Sequence, residues 1–277
     1  MEPFQLQEQP IPHLVIKSWQ KLVPGLNVGF STKKGGVSKG FYATMNLALH
    51  VNDQEEDVIS NRKMLTNALG FSFDAWTSAE QVHGNHIEII SKEKRGKGRL
   101  SREDAIQDTD GMVTNEPNIL LTSFYADCVP LFFLDPVKKV IGLAHAGWKG
   151  TQLKIAEKMI ETFVFAFGSN REDIHVAIGP SIGQCCYEVD GKVIQPIQST
   201  FSFIPEDIIF DKNNGHYDLD LKKLNQQILI HAGILPNHIE VSSYCTSCDH
   251  HLFFSHRKDK GKTGRMAAWI GLRKDES

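Results

Sequence analysis

The 277-residue chain lacks several features that would place it in a class directly. It has no run of eighteen apolar residues, so no membrane-spanning helix is expected. Its first residues, MEPFQLQEQPIPHLVIKSWQ, include two glutamates and too short an apolar stretch for a signal peptide. Its five cysteines are few and odd in number, which does not suit a disulfide framework. We therefore expect reduced thiols and a cytoplasmic location.

The charge pattern also excludes some partners. The formal net charge is -3 and no block of like charge stands out, so nothing in the chain would attract nucleic acid or an anionic membrane. The most basic segment, SHRKDKGKTGR at 255–265, is interrupted by Asp259 and is interpreted as a solvated loop. No break in composition marks a domain boundary. We predict a single domain over residues 1–277.

Apolar periodicity predicts three helices, at 54–69, 151–167 and 218–232. Predicted strands lie at 86–90, 119–124, 129–134, 140–144, 174–178, 239–243 and 266–272. Several strands precede the second helix without regular strand–helix alternation, which favours an α+β fold with mixed or antiparallel β-sheets. The charged segment 93–109 is expected to be a flexible excursion.

One predicted hairpin places a cysteine and a histidine together. The sequence DPVK at 135–138 separates two apolar runs, and Asp-Pro favours a turn. If these four residues form the loop, Leu134 faces Lys139 and Cys128 faces His145. Their Cβ atoms would then lie about 5 Å apart on one face of the hairpin. A thiolate and an imidazole at that distance can share a metal or form a nucleophile–base pair.

A third ligand would make this pair a zinc site. His83, in QVHG at the entrance to a strand, is the best candidate, and a Cys-His-His set leaves the fourth position open, as in catalytic zinc sites. A metal-free cysteine hydrolase is the alternative, with Cys128 as nucleophile, His145 as base and Asp127 or another acid orienting the base. A non-catalytic zinc protein would instead close the site with a fourth protein ligand, Cys245 or Cys248.

Other motifs allow two interpretations each. The turn STKKGGVSKG at 31–40 is either an exposed loop or an anion-binding nest. Arg62 is either a solvated partner of nearby acids on its helix or a phosphate-binding fork. The CxxC of CTSCDHH at 245–251 suggests zinc or redox chemistry, but no second CxxC is present, which favours incidental thiols. The adjacent cysteines of GQCCYEV, at 183–189, are expected to serve packing.

Taken together, these motifs resemble those of the laccase-domain (polyphenol oxidoreductase-like) family, whose members are regarded largely as purine nucleoside phosphorylases with adenosine deaminase activity, and some of which are called peptidoglycan editing factors. The similarity covers roughly residues 25–272. The motifs that support it are STKKGGVSKG, MNLALHVND, NRKML, QVHG, TDGMVT, ADCVPLFFLD, AHAGWKGT, AIGPSIGQCCYEV and FFSHRKDKGKTGRMAAWIGL.

The resemblance implies an α+β fold with mixed sheets flanked by helices, and zinc held by His83, Cys128 and His145. It makes Arg62 catalytic and implies phosphorolysis of adenosine, inosine, guanosine and methylthioadenosine, with deamination of adenosine. Asp127 and Glu80 are candidates for the proton shuttle of deamination. By motif position, the expected substrate contacts are Ser31, Gly36, Asn46, Gln81 and Lys149.

Two other activities remain as alternatives. One is a metal-independent cysteine amidase that acts on peptidoglycan precursors. The other is a copper polyphenol oxidase, which we disfavour because a multicopper site is rich in His-x-His pairs and this chain contains none. The expected ligands are thus zinc, purine nucleosides and phosphate.

Overall fold

The computed structural model describes residues 2–274. The helices are α1 Lys17–Leu22, α2 Glu55–Ala68, α3 Trp148–Gln152, α4 Ile155–Phe167, α5 Gly191–Thr200 and α6 Leu221–His231. The strands are β1 Phe4–Gln7, β2 His13–Ile16, β3 Leu26–Ser31, β4 Trp76–Ser78, β5 Ile87–Ile89, β6 Gly111–Thr114, β7 Leu120–Tyr125, β8 Val129–Asp135, β9 Val140–Ala146, β10 His175–Ile178, β11 Glu188–Asp190, β12 Ile209–Asp211, β13 His216–Leu219, β14 Ile239–Val241 and β15 Met266–Leu272.

The strands form three sheets. The first has six strands in the order β1-β2-β3-β15-β7-β4, and the second has six in the order β14-β10-β8-β9-β6-β5. Both are mixed, since β4 pairs parallel to β7 and β14 pairs parallel to β10 while their central pairs are antiparallel. A small antiparallel sheet, β11-β13-β12, completes the set. The predicted α+β fold with mixed sheets is confirmed.

The two large sheets pack face to face between layers of helix. One apolar core joins Phe30 and Ile270 of the first sheet to Phe132 and Leu143 of the second. A second core lies between the other face of the second sheet and helices α4, α5 and α6, and a third lies between the first sheet and α2. Strands β7, β8, β9 and β15 are therefore buried along their whole length, which explains their near-continuous apolar sequences.

The predicted helices are found, with two changes. The helix predicted at 218–232 begins at Leu221, because residues 218 and 219 belong to β13. Helix α2 ends just before Gly70 and α4 ends at Gly168, and both glycines adopt a positive φ, as the C-terminal glycine stops predicted. The helix predicted at 151–167 is two helices, because Lys154 takes a left-handed conformation with φ 62. Thr151, predicted as its N-cap, therefore lies inside α3. Helices α1 and α5 had no clear signal; α5 contains Pro196.

The charged segment 93–109 packs against the body of the protein, so its prediction as a flexible excursion is wrong. Arg95 donates to the carbonyl oxygen of Asn118 and pairs with Asp74 at 2.7 Å. The carbonyl oxygen of Gly98 accepts from Arg62 and from Ser78. Between residues 2 and 274, no helix is long and apolar enough to cross a membrane.

Candidate active site

The β8–β9 hairpin differs from the predicted register. Asp135 remains in the strand and its carboxylate accepts the N–H groups of Val137 and Lys138, so the four loop residues are 136–139. His145 therefore lies opposite Pro130, and the predicted direct pairing with Cys128 is wrong. Cys128 immediately precedes β8 and is two residues from Pro130. Because strand side chains alternate with a period of two, Cys128 and His145 still share one face as diagonal neighbours.

The structure brings His83, Cys128 and His145 together. Their candidate ligand atoms all lie within 4.8 Å of one another, with His83 exposed, Cys128 half-buried and His145 buried. Gly147 makes this approach possible. A Cβ atom at that position would lie 3.1 Å from Cys128 Sγ and 3.1 Å from His83 Cδ2. The sequence reasoning did not identify this glycine.

Asp110 orients two of these three residues, and the sequence reasoning missed it. It begins the turn into β6, within TDGMVT, and its buried carboxylate lies 2.8 Å from His145 Nδ1. A carboxylate can only accept, so Nδ1 donates and Nε2 is left free to bind a metal. The N–H groups of Val82, His83 and Gly84 also donate to Asp110, at 2.6–3.1 Å, and so fix the His83 loop.

Neighbouring charged groups favour the ionised forms of Cys128 and His145. Burial alone would raise the pKa of the Cys128 thiol, but His145 and His83 outweigh it and lower that pKa to about 6. Burial acts to lower the pKa of His145, yet the Cys128 thiolate and Asp110 raise it to about 9. These shifts favour the thiolate form of Cys128. The thiolate is the form that ligates metals and also the form that acts as a nucleophile.

A cavity of about 490 Å³ opens beside the three residues, within the range of small-molecule sites. The side chains of Arg62, Arg102, Arg257 and Arg265 line it, against only two carboxylates, Glu80 and Asp127. Glu80 pairs with Arg102 at 2.6 Å. Between residues 2 and 274, the guanidinium groups of the other three arginines form no salt bridge with a carboxylate. The cavity is therefore suited to an anion.

Arg62 is buried, so its interpretation as a solvated helix partner is wrong. Nε donates to the carbonyl oxygen of Leu47 at 2.7 Å, and Nη1 donates to those of Gly98 and Arg99 at 2.8 and 3.0 Å. Its guanidinium also lies over the Phe124 ring, 4.9 Å from the centroid. Burial lowers the pKa of Arg62 to about 9, which leaves it protonated at neutral pH. The bonds to carbonyl oxygens fix the guanidinium at the cavity wall.

Asp127 and Glu80 both line the cavity but are engaged differently. Both carboxylate oxygens of Asp127 accept hydrogen bonds at 2.7 Å, one from Thr246 Oγ1 and one from the Arg257 N–H. Asp127 thus holds the segments that contain Thr246 and Arg257 at the site. Its own backbone, just before Cys128, has a positive φ of 89. Glu80 contacts Arg102 through one oxygen, which leaves it better placed to transfer a proton.

Of the five expected substrate contacts, Gln81 alone lines the cavity. Its amide is paired with the backbone of Phe124 through both polar atoms. Ser31 and Asn46 are buried, and their oxygens accept from the N–H groups of Ala267 and Arg265, respectively, so they bind backbone rather than facing the cavity.

Gly36 and Lys149 also lie off the cavity wall. A Cβ atom on Gly36 would lie 2.3 Å from the carbonyl oxygen of Thr44, so this glycine permits a close backbone contact. Lys149 is exposed, with Nζ 5.6 Å from the centroid of the Trp148 ring. The turn at 31–40 therefore contributes no residue to this cavity.

The cysteines expected to be incidental form a second cluster. The Sγ atoms of Cys185, Cys186, Cys245 and Cys248 lie within 4.8 Å of one another, apart from the first group. Four thiols at this separation could bind a metal ion. Neither Cys245 nor Cys248 closes the Cys128 site. The two segments are about sixty residues apart in the chain, so the sequence did not show that they lie close together in the fold.

Comparison with known proteins places the chain in a family. The sequence model described as "Multi-copper polyphenol oxidoreductase laccase" matches residues 27–273. The chain belongs to this family. It is 42% identical over 246 residues to "Purine nucleoside phosphorylase YlmD" of Bacillus subtilis, covering 88% of each chain. It is 44% identical over 253 residues to the protein of the same name from Geobacillus stearothermophilus, covering 91% of this chain and 92% of the relative.

Solved structures of relatives share the fold. The structure of YlmD from Geobacillus stearothermophilus matches with a TM-score of 0.93 at 41% identity, covering 99% of this chain and 100% of that one. The structure of a Bacillus licheniformis hypothetical protein YfiH matches with a TM-score of 0.92 at 43% identity, covering 97% and 99%. The resemblance to the laccase-domain family is thereby confirmed.

Proposed function

We propose that this protein is a purine nucleoside phosphorylase that binds zinc through His83, Cys128 and His145. One observation supports this most directly. The three candidate ligands share a cavity with Arg62, Arg257 and Arg265, whose guanidinium groups form no salt bridge within residues 2–274. An anion and a metal ion can therefore act on one substrate there. The two relatives named purine nucleoside phosphorylase support the same reaction.

Phosphate is the anion that the cavity would bind. A guanidinium offers several N–H donors in a fixed plane, which suits phosphate oxygens. Arg62 is positioned by three bonds to carbonyl oxygens, so little entropy would be lost when its remaining N–H groups bind phosphate. Arg62 would orient phosphate for attack on the anomeric carbon of the ribose.

The donor set suits zinc. One thiolate and two imidazoles are common zinc ligands, and three protein ligands beside a cavity leave a position for substrate. Asp110 fixes the His145 ring in the orientation that a ligand requires. A zinc ion bound there acts as a Lewis acid. The disfavoured copper oxidase would require further histidine-rich sites, and the described residues contain two candidate metal groups, of which only this one includes histidine.

The rest of the cavity suits a purine nucleoside. Phe124 and Tyr187 offer aromatic surface at its wall. His50 also lines the cavity, and a neutral imidazole can both donate and accept a hydrogen bond. We propose adenosine, inosine, guanosine and methylthioadenosine as substrates.

Deamination of adenosine at the same site is a second proposed activity. It requires a group that moves a proton to the leaving ammonia. Glu80 lines the cavity with one oxygen on Arg102, whereas both oxygens of Asp127 are already bonded. We therefore assign the proton transfer to Glu80 and a positioning role to Asp127.

Chromatographic product analysis tests both activities. Zinc-quantified protein is incubated with adenosine, with and without phosphate. Phosphorolysis gives adenine and ribose 1-phosphate only with phosphate. Deamination gives inosine without phosphate, and inosine together with its phosphorolysis product hypoxanthine when phosphate is present. Failure to form adenine from adenosine, or hypoxanthine from inosine, in the presence of phosphate would contradict the proposal. Several copper ions per active chain would favour the oxidase instead.

The variant His83→Ala separates the zinc enzyme from a cysteine hydrolase. Cys128→Ser removes activity under either mechanism, because the thiolate is essential in both. His83 has no role in a simple Cys128–His145 nucleophile–base pair, so its loss would be mild for a hydrolase. We expect His83→Ala to lose the zinc of this site and phosphorolysis together. A folded His83→Ala protein that stays active without that zinc would rule out the zinc mechanism.

A further inference from the structure

A second group of sulfur atoms lies outside the proposed active site, at the contact between two loops. Cys185 and Cys186 end the loop after β10, and Cys245 and Cys248 lie in the turns after β14. A parallel bridge between Ser181 and Cys245 joins the two segments. We propose that these four cysteines bind one structural zinc ion.

The sulfur spacing matches a single tetrahedral ion. Zinc–sulfur bonds of about 2.3 Å in a tetrahedron place the sulfurs about 3.8 Å apart. Cys248 Sγ lies 3.6 Å from Cys185 Sγ and 3.5 Å from Cys186 Sγ, and all four sulfurs fall within 4.8 Å of one another. A two-iron cluster binds its cysteines in pairs on different irons, which needs a wider arrangement. Four thiolates in a tetrahedral arrangement suit a single zinc ion.

The backbone around Cys245 is arranged for a thiolate. The N–H group of Gly183 lies 3.2 Å from Cys245 Sγ, and the N–H groups of Ser247 and Cys248 also point at this sulfur. Hydrogen bonds from backbone N–H groups stabilise the charged form of a thiol, which is the form that binds metal. The turn that follows Cys245 thus presents both sulfurs of the CxxC to one point.

The adjacent cysteines reach the same point because of a local helical turn. Residues Gln184–Cys186 form a single turn of 3-10 helix. The Sγ atoms of Cys185 and Cys186 therefore converge on Cys248 from one side. Cys185 and Cys186 were expected to serve packing, but their sulfur atoms are placed to bind the same metal ion as Cys248.

A structural role follows from the ligand number and from the neighbours. Four protein ligands leave no position for substrate, in contrast to the three beside the cavity. The carbonyl oxygen of Cys186 accepts from Arg257, which lies 5.3 Å from the centroid of the Tyr187 ring. Arg257 and Tyr187 both line the active-site cavity. The zinc would thus fasten the cavity wall formed by these two residues.

Metal counting in matched variants tests the proposal. The proteins are purified with a mild reductant and analysed by mass spectrometry for metals. Wild type should contain about two zinc ions per chain, and Cys248→Ser and His83→Ala about one each. His251→Ala, an exposed neighbour outside the cluster, should match wild type. Because the two losses are separate, failure of the active-site zinc proposal would not affect the zinc lost in Cys248→Ser.

The ligands are identified by X-ray absorption at the zinc edge of the His83→Ala protein. Four sulfurs at about 2.3 Å are expected. A thiol count of the unfolded wild type, without added reductant, should find all five cysteines reduced. The zinc-edge spectrum of His83→Ala remains decisive if Cys248→Ser does not fold, because that protein keeps all four cysteines. A disulfide, iron at the cluster, or unchanged zinc in Cys248→Ser would overturn the proposal.

Discussion

At the scale of single residues, the carboxylate of Asp110 supports two of the three proposed zinc ligands. It accepts four hydrogen bonds, three from the loop that bears His83 and one from His145. Burial acts to raise the pKa of Asp110, but His145 and the N–H groups of Gly84 and Val82 outweigh it and lower that pKa. The carboxylate is therefore charged and holds two ligands in one geometry.

We predict that Asp110→Asn weakens zinc binding at this site by about 10- to 100-fold. Asparagine keeps the size of the side chain but presents one amide group to donors that need an acceptor. Zinc affinity is measured by competition with a chelator, and circular dichroism checks the fold. Unchanged zinc affinity in Asp110→Asn would show that Asp110 only holds the loop at residues 82–84 and does not support metal binding.

Arg62 combines a structural and a proposed catalytic role, which limits the useful substitutions. Arg62→Ala would remove a donor from three carbonyl oxygens, of which that of Gly98 keeps its bond from Ser78, and would cost about 2 kcal/mol or more. Arg62→Lys keeps the charge but loses the planar set of donors. We predict that Arg62→Lys raises the KM for phosphate about tenfold, which corresponds to about 1.4 kcal/mol.

The control for this variant is Lys63→Ala, at the next position of α2 and exposed. It should leave the KM for phosphate unchanged. If Arg62→Lys also leaves the KM unchanged, Arg62 acts only as a support for Leu47 and the loop at 98–99.

At the scale of elements, the β8–β9 hairpin shows why an incorrect register still led to the correct pair. The predicted loop began one residue too early, because Asp135 extends the strand and binds the N–H groups of the turn. His145 therefore pairs two residues away from Cys128. A shift of two preserves the face of the sheet, whereas a shift of one would have separated the side chains. In this register, the residue opposite Cys128 is Gly147.

We predict that Gly147→Ala weakens zinc binding by about tenfold while the fold is retained. The added Cβ would lie 3.1 Å from both Cys128 Sγ and His83 Cδ2, so the ligands must shift by a few tenths of an ångström. Gly84→Ala is the matched control, since its Cβ would meet Asp110 Oδ2 at an ordinary 3.4 Å. Equal zinc affinity in the two variants would contradict this account of Gly147.

At the scale of the whole molecule, the site lies where the chain passes between the two large sheets. Cys128 lies between β7 of the first sheet and β8 of the second, and His145 lies on β9 of the second. The His83 loop follows β4 of the first sheet. The charge distribution is also a property of the whole chain, since a net charge of -3 accompanies a cavity rich in arginine.

We predict that the KM for phosphate rises with ionic strength while the KM for the neutral nucleoside changes little. The Debye length falls from about 10 Å at 0.1 M salt to about 3 Å at 1 M, which screens the arginines of the cavity from an approaching anion. Steady-state kinetics at both salt concentrations measures the two constants. Equal changes in both would point to a general effect of salt on the protein rather than to the arginines.

The QVHG motif and the family resemblance identified His83. The sequence alone determined the fold class, the C-terminal ends of α2 and α4, and the shared face of Cys128 and His145. These features depend on local patterns, such as apolar periodicity, a glycine after a helix and the alternation of side chains along a strand. Only the tertiary structure decided the burial of Arg62, the role of Asp110 and the grouping of four cysteines. Each depends on segments that are distant in the chain and meet when the sheets and loops pack. The spacing of residues along the sequence does not predict such contacts, because they depend on how the strands and loops are arranged in the fold.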